Sequence, residues 1–144
     1  MIGTLILSIL APAFASEPAG AGSCPLTGAP LEIVLSNPRT AERYDLRITA
    51  GKDCSVAIHY SVSGTGAEPS ALERSYPAEI LSELWPILGD AIEVKELRSD
   101  RPCAGQRTFT VTRGKETRRF CGGSENARRF DAFRGEIQLL LRYR

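Results

Sequence analysis

Tyr44-Asp45-Leu46-Arg47-Ile48-Thr49 and Val56-Ala57-Ile58-His59-Tyr60-Ser61-Val62 are the two stretches on which the fold turns. Each alternates apolar with polar side chains. A period of two places one set of side chains on a buried face and the other on a solvated face, which is the mark of a half-buried strand. The apolar set is Tyr44, Leu46 and Ile48 in the first strand and Val56, Ile58 and Tyr60 in the second. The reading is a hairpin with Ile48 opposite Val56 and Leu46 opposite Ile58, which leaves Gly51-Lys52-Asp53 as the loop. In that register Asp45 faces His59 on the polar side.

The same pattern recurs further along. Arg107–Arg113 (RTFTVTR) alternates, Gly114-Lys115 turns, and Thr117–Cys121 returns as the partner strand. Gly122-Gly123 makes a turn, Ser124 is a good N-cap, and a helix is expected from about Glu125 to Arg142. Its buried stripe is Ala127, Phe130, Phe133, Ile137, Leu140 and Leu141. The first hairpin is also followed by a helical pattern. Pro77 suits a first turn, and Ile80, Leu81, Leu84, Trp85 and Leu88 form a stripe that ends at Gly89-Asp90. Trp85 is thereby assigned to the core. Leu31–Leu35 is a short apolar strand broken by Asn37-Pro38, Gly64–Ser70 reads as a loop, and Ile92–Leu97 reads as a further strand. Hairpins followed by helices point to an α+β fold. It is an antiparallel sheet built from two hairpin-then-helix halves, with the helices packed on one face. Ile48–Asp53 (ITAGKD) and Val111–Glu116 (VTRGKE) echo each other at the two turns.

The N-terminus carries an address. Residues 2–11 are apolar, too short for the roughly 20 residues a bilayer needs, and they run into Ala13-Phe14-Ala15, a small-x-small cleavage site. Residues 1–15 are therefore read as a signal peptide, with no Lys or Arg ahead of the apolar stretch. Residues 16–30 form a Pro- and Gly-rich leader, and residues 31–144 form a single domain. The lipid-box-like Ala21-Gly22-Ser23-Cys24 is rejected, because the apolar segment ends before it and Glu17 and Pro18 intervene. The expected location is periplasmic or secreted, with no transmembrane segment after cleavage. A chain of this length buries roughly two-thirds of its unfolded surface and can build a real core.

The four cysteines are Cys24, Cys54, Cys103 and Cys121. None shows zinc-ligand spacing, and the chain has one histidine. Export with an even count argues for disulfides. Several pairings are open, and Cys24–Cys54 with Cys103–Cys121 is expected, because each stays within one half of the chain. No metal or cofactor is indicated.

The net charge of +1 conceals a split. Residues 16–97 are acidic (net −6) and residues 98–144 basic (net +7), nearly all of the basic charge being arginine. Arg118-Arg119 and Arg128-Arg129 bracket the Gly122-Gly123-Ser124 turn. Such a cluster attracts phosphate, sulfate or a carboxylate-rich surface, or pairs with the acidic half of the same domain. Nucleic acid is excluded as a partner by export, near-zero net charge and the absence of a recognition motif. His59 with Asp45, or with Cys121 ahead of a helix N-terminus, is the one hydrolase-like constellation. A surface cross-strand pair and a structural disulfide are its ordinary explanations. Glu79 and Glu83 sit on a polar helix face without the marks of acid–base groups. The leading expectation is an exported, disulfide-bonded binding or inhibitor module facing an acidic protein or envelope polymer. A small secreted hydrolase and a structural envelope protein are the alternatives.

Overall fold

The computed structural model of the protein describes residues 24–26, 28–64 and 70–144. The expected signal peptide, most of the expected leader and most of the expected 64–70 loop lie outside the described residues. The fold is α+β. Six antiparallel strands form one open sheet: β1 (Leu31–Ser36), β2 (Arg43–Ala50), β3 (Val56–Ser63), β4 (Ser70–Tyr76), β5 (Thr108–Arg113) and β6 (Glu116–Cys121). Their order across the sheet is β4-β3-β2-β1-β5-β6. The first four strands follow one another as a meander. The β5–β6 hairpin then returns to pair beside β1, so the chain does not fold as two equivalent hairpin-then-helix halves.

Cross-strand partners share a face, and the register shows one apolar face. Ile33 lies between Leu46 and Val111, Leu35 beside Phe109, Ile48 beside Ile58, and Phe109 beside Phe120. All of these are buried. Helix α3 (Glu125–Tyr143) lies against this face. Its six expected stripe residues are all buried, and Phe130 stacks on Phe120 of β6 with ring centroids 5.7 Å apart. Each aromatic ring removed from water this way contributes roughly 1.5–3 kcal/mol. Ser124 caps the helix, its Oγ accepting the Ala127 N–H at 3.2 Å.

Three local expectations change. The β2–β3 register is displaced by two residues, pairing Ile48 with Ile58 and Leu46 with Tyr60. The faces are preserved, because the displacement is even. The cause is the loop. Cys54 adopts a left-handed conformation (φ 63°) instead of joining the strand. The Gly51 N–H donates to Ser55 O at 2.7 Å, and the Asp53 carboxylate accepts from the Ser55 N–H and Oγ. The loop therefore closes at Gly51 and Ser55, with Cys54 tied to Cys24.

Secondly, the helix expected after Pro77 splits into α1 (Ala78–Leu81) and α2 (Trp85–Leu88). Pro86 has no N–H to continue the ladder and sits instead in the first turn of α2. Trp85 is half-buried and stacks on Phe133 of α3 at 5.6 Å. Thirdly, Ile92–Leu97 is not a strand. Gly89–Ile92 and Val94–Glu96 are 3₁₀ turns, and Ala91, Val94 and Leu97 meet the core at the three-residue spacing such turns impose. No helix among the described residues is long and apolar enough to cross a membrane.

Candidate functional site

The nominated residues do not converge. His59 lies opposite Arg47 on one side and Glu73 on the other, while Asp45 lies opposite Ser61. The Asp45 carboxylate instead accepts from Arg43 Nε at 2.8 Å. The expected His59–Asp45 pair is therefore replaced, a direct result of the displaced register. Cys121 is joined to Cys103, with Cα atoms 5.4 Å apart, and does not present a thiol to His59. Cys24 and Cys54 form the other disulfide, with Cα atoms 5.3 Å apart. The hydrolase constellation thus loses both of its proposed partners.

The four arginines separate by strand alternation and by pairing. Arg118 points to the apolar face of β6 and Arg119 to the opposite, solvated face. Arg118 donates through Nε to Leu97 O at 2.8 Å, through Nη2 to Lys95 O and through Nη1 to Thr117 O, with Glu116 beside it. It fastens the 3₁₀ segment to the sheet. Arg129 is paired with Asp90 at 2.8 Å and Glu125 at 3.0 Å. Arg128 donates through Nε and Nη2 to Gly123 O at the turn before α3 and is otherwise exposed.

A basic concavity does form at that turn, with different arginines. A cleft of about 400 Å³ is lined by Asn37, Arg39, Arg107, Gly105 and the Gly122-Gly123 backbone. Arg39 comes from the β1–β2 loop. That loop is held by Asn37, whose N–H donates to Glu42 O and whose Oδ1 accepts the Arg39 N–H at 3.0 Å. Among the described residues no carboxylate pairs with the Arg39 guanidinium. Arg107 precedes β5, and its carbonyl accepts the Gly122 N–H at 2.7 Å. A side chain at residue 122 would meet Arg107 O at 3.2 Å and Arg107 Cβ at 3.3 Å, so Arg107 would have to shift slightly to admit one. The Arg107 guanidinium lies 3.7 Å from Asp131 and above the Phe109 ring. That pair is loose and half-exposed. Asp131 is more closely held by Arg134 at 2.9 Å. The cleft therefore carries net positive charge from two guanidiniums, which suits a carboxylate, sulfate or phosphate.

Behind it, Arg134 ties α3 to the sheet. It donates to Asp131, Gln138 and the Tyr60 hydroxyl, and its guanidinium lies 5.0 Å above the Tyr44 ring. Burial opposes the Arg134 charge. Hydrogen bonding to Asp131 and Tyr60 more than offsets that, so its pKa stands above the ordinary value. Burial likewise raises the Tyr60 hydroxyl, with Arg134 pulling the other way. A second cleft, of about 360 Å³, is apolar and runs beside the Cys24–Cys54 bond past Leu26, Val56 and Trp85. Among the described residues no group of three or more His, Cys, Asp or Glu side chains is placed to hold a metal ion.

Arg39 was invisible in the sequence. It sits in an aperiodic turn remote from the basic third of the chain, and only the pairing of β1 with β5 brings it beside Arg107. The one available signal was Asn37-Pro38, which marks the turn without indicating its neighbours. Neither protein-family models nor curated proteins match this chain, so the class of the molecule rests on its own geometry: a small disulfide-bonded α+β domain bearing a basic cleft.

Proposed function

We propose that the chain is an exported binding or inhibitor module that holds an acidic group of a partner in the Arg39–Arg107 cleft. The observation that carries this reading is the cleft itself. Two guanidiniums from distant parts of the chain line one concavity at a glycine turn, and Arg39 has no carboxylate partner among the described residues. Arg128 rims the same turn and belongs to the proposed surface, whereas Arg119 is exposed on the opposite face of the sheet and lies apart from the cleft. Arg118 and Arg129 contribute through the fold, holding Leu97 and Asp90.

Export is supported by the apolar stretch and cleavage site over residues 1–15 and by two disulfides, which persist in oxidising compartments. The destination is the periplasm or the exterior. The partner is an acidic protein or envelope polymer. The helices are taken to cover one face of the sheet only, leaving the other to solvent.

The test is retention of the exported, oxidised chain on immobilised polyglutamate and on a sulfated polysaccharide across a salt gradient. The Arg39→Ser/Arg107→Ser double variant should elute at clearly lower salt, with an unchanged melting temperature. Equal elution of the two proteins would refute the assignment of the cleft.

A further inference from the structure

The sheet treats its two edges differently. In an antiparallel ladder, alternate residues turn both backbone groups toward one neighbour and the residues between them turn toward the other. The short contacts that flank the strands set this alternation. Gly51 donates to Ser55 at the β2–β3 turn, Asn37 to Glu42 at the β1–β2 turn, and Gly122 to Arg107 beside β5–β6. Followed to β6, the alternation turns the backbone of Arg119 and Cys121 outward. Both are met by the chain's own 97–103 segment. The Arg119 N–H donates to Ser99 Oγ, the Arg119 carbonyl accepts from the Asp100 N–H, and the Cys121 N–H donates to the Asp100 carboxylate. The edge is covered along Arg119–Cys121.

Followed to β4, the same alternation turns Ala71, Glu73 and Ser75 outward, because Leu72 and Arg74 face Tyr60 and Ile58 of β3. No described residue meets those outward groups. Residues 70–75 are all exposed, and Leu72 is one of the few large apolar side chains on the surface, at 37% exposure. An open strand edge with an exposed leucine is a template for another strand.

The geometry points to a second copy of this chain as the occupant, joined by antiparallel β4–β4 pairing about a two-fold axis normal to the sheet. Such an axis keeps like faces on the same side, so residues opposite one another must share a face. The symmetric registers that pair at least five residues of β4 (Ser70–Tyr76) in each copy are then centred on Leu72, Glu73 or Arg74. Centring on Glu73 sets two carboxylates face to face, and centring on Arg74 sets two guanidiniums face to face. Like charges directly opposite destabilise a sheet. Centring on Leu72 avoids both. It pairs Leu72 with Leu72 of the second copy, Glu73 with Ala71 and Arg74 with Ser70. It also makes the outward-turned residues Ala71 and Glu73 the hydrogen-bonded pair, each exchanging its N–H and C=O groups. Leu72 then falls in a non-hydrogen-bonded pair, where opposed side chains approach most closely. Backbone alternation is satisfied in all three registers, and charge placement selects the one centred on Leu72.

The experiment is sedimentation of the oxidised, exported chain over a wide concentration range, with oxidative cross-linking of single-cysteine additions after folding. Mass spectrometry confirms that the native disulfides stay intact. A concentration-dependent dimer is expected. Leu72→Lys should weaken it by about tenfold or more, since it replaces an apolar contact with opposed charges. Leu72→Cys should cross-link to itself far faster than Glu73→Cys or Arg74→Cys. A monomer at all concentrations would overturn the proposal. So would a dimer indifferent to Leu72→Lys, pairing with some other protein's strand instead of a second copy, or fastest cross-linking at position 73 or 74.

Discussion

Replacing Arg118 with methionine keeps the length and packing of the side chain and removes only its donors. The side chain is 21% exposed, and its Nε holds Leu97 O at 2.8 Å in a half-buried setting. A hydrogen bond from a charged donor at such a site contributes about 1.5–3 kcal/mol, because the carbonyl left behind has no ready replacement. The bonds to Lys95 O and Thr117 O and the pair with Glu116 are exposed. Water replaces those partners, and an exposed ion pair adds at most about 1 kcal/mol. Methionine recovers part of the loss by packing without a charge to desolvate. The net expectation is a destabilisation of about 2 kcal/mol, or about 5–10 °C in melting temperature for a domain of this size. The assay is thermal unfolding followed by circular dichroism without reductant, with Arg119→Met measured alongside. Arg119 turns its side chain to solvent, so its variant should melt within about 0.5 kcal/mol of wild type. If Arg118→Met melts like wild type, or if Arg119→Met is the more destabilised of the two, the assignment of Arg118 to fastening the 3₁₀ segment is wrong.

Two further outcomes are expected. Burial holds the Tyr60 hydroxyl pKa above its ordinary 10.0, so the unfolded chain ionises first as pH rises. The stability this adds is complete below about pH 10 and is lost as pH climbs through the folded value; urea unfolding should therefore show a steeper alkaline decline for wild type than for Tyr60→Phe. Gly64 has φ 73°, and a side chain there would run into the backbone of Ala41. Gly64→Ala should cost about 3 kcal/mol or more in denaturant unfolding, and a loss under about 1 kcal/mol would show that the 40s turn yields freely.

Legibility tracked burial. β2, β3 and β5 were readable, because each buries one whole face and so must alternate. Helix α3 was readable to within a residue of its ends, from its stripe and its Ser124 cap. Strand β4 was not. Apart from Tyr76 it is exposed throughout, so no core imposes a period on Ser70–Ser75. The divided first helix was legible in principle from Pro86, but the apolar stripe runs through that position and masks the break.

The amino-acid sequence by itself determined the kinds of element, the faces they bury and the α+β class, because local periodicity must match the geometry of whatever core is present. It also limited the cysteines to a few pairings. Tertiary structure alone decided the β2–β3 register, since an even displacement preserves every face and leaves the pattern indifferent to it. It decided that β5 lies beside β1, and with that it brought Arg39 next to Arg107. It also decided which arginines are engaged within the fold and which remain exposed, because the partners of a guanidinium are set by through-space distances that the order of residues does not encode.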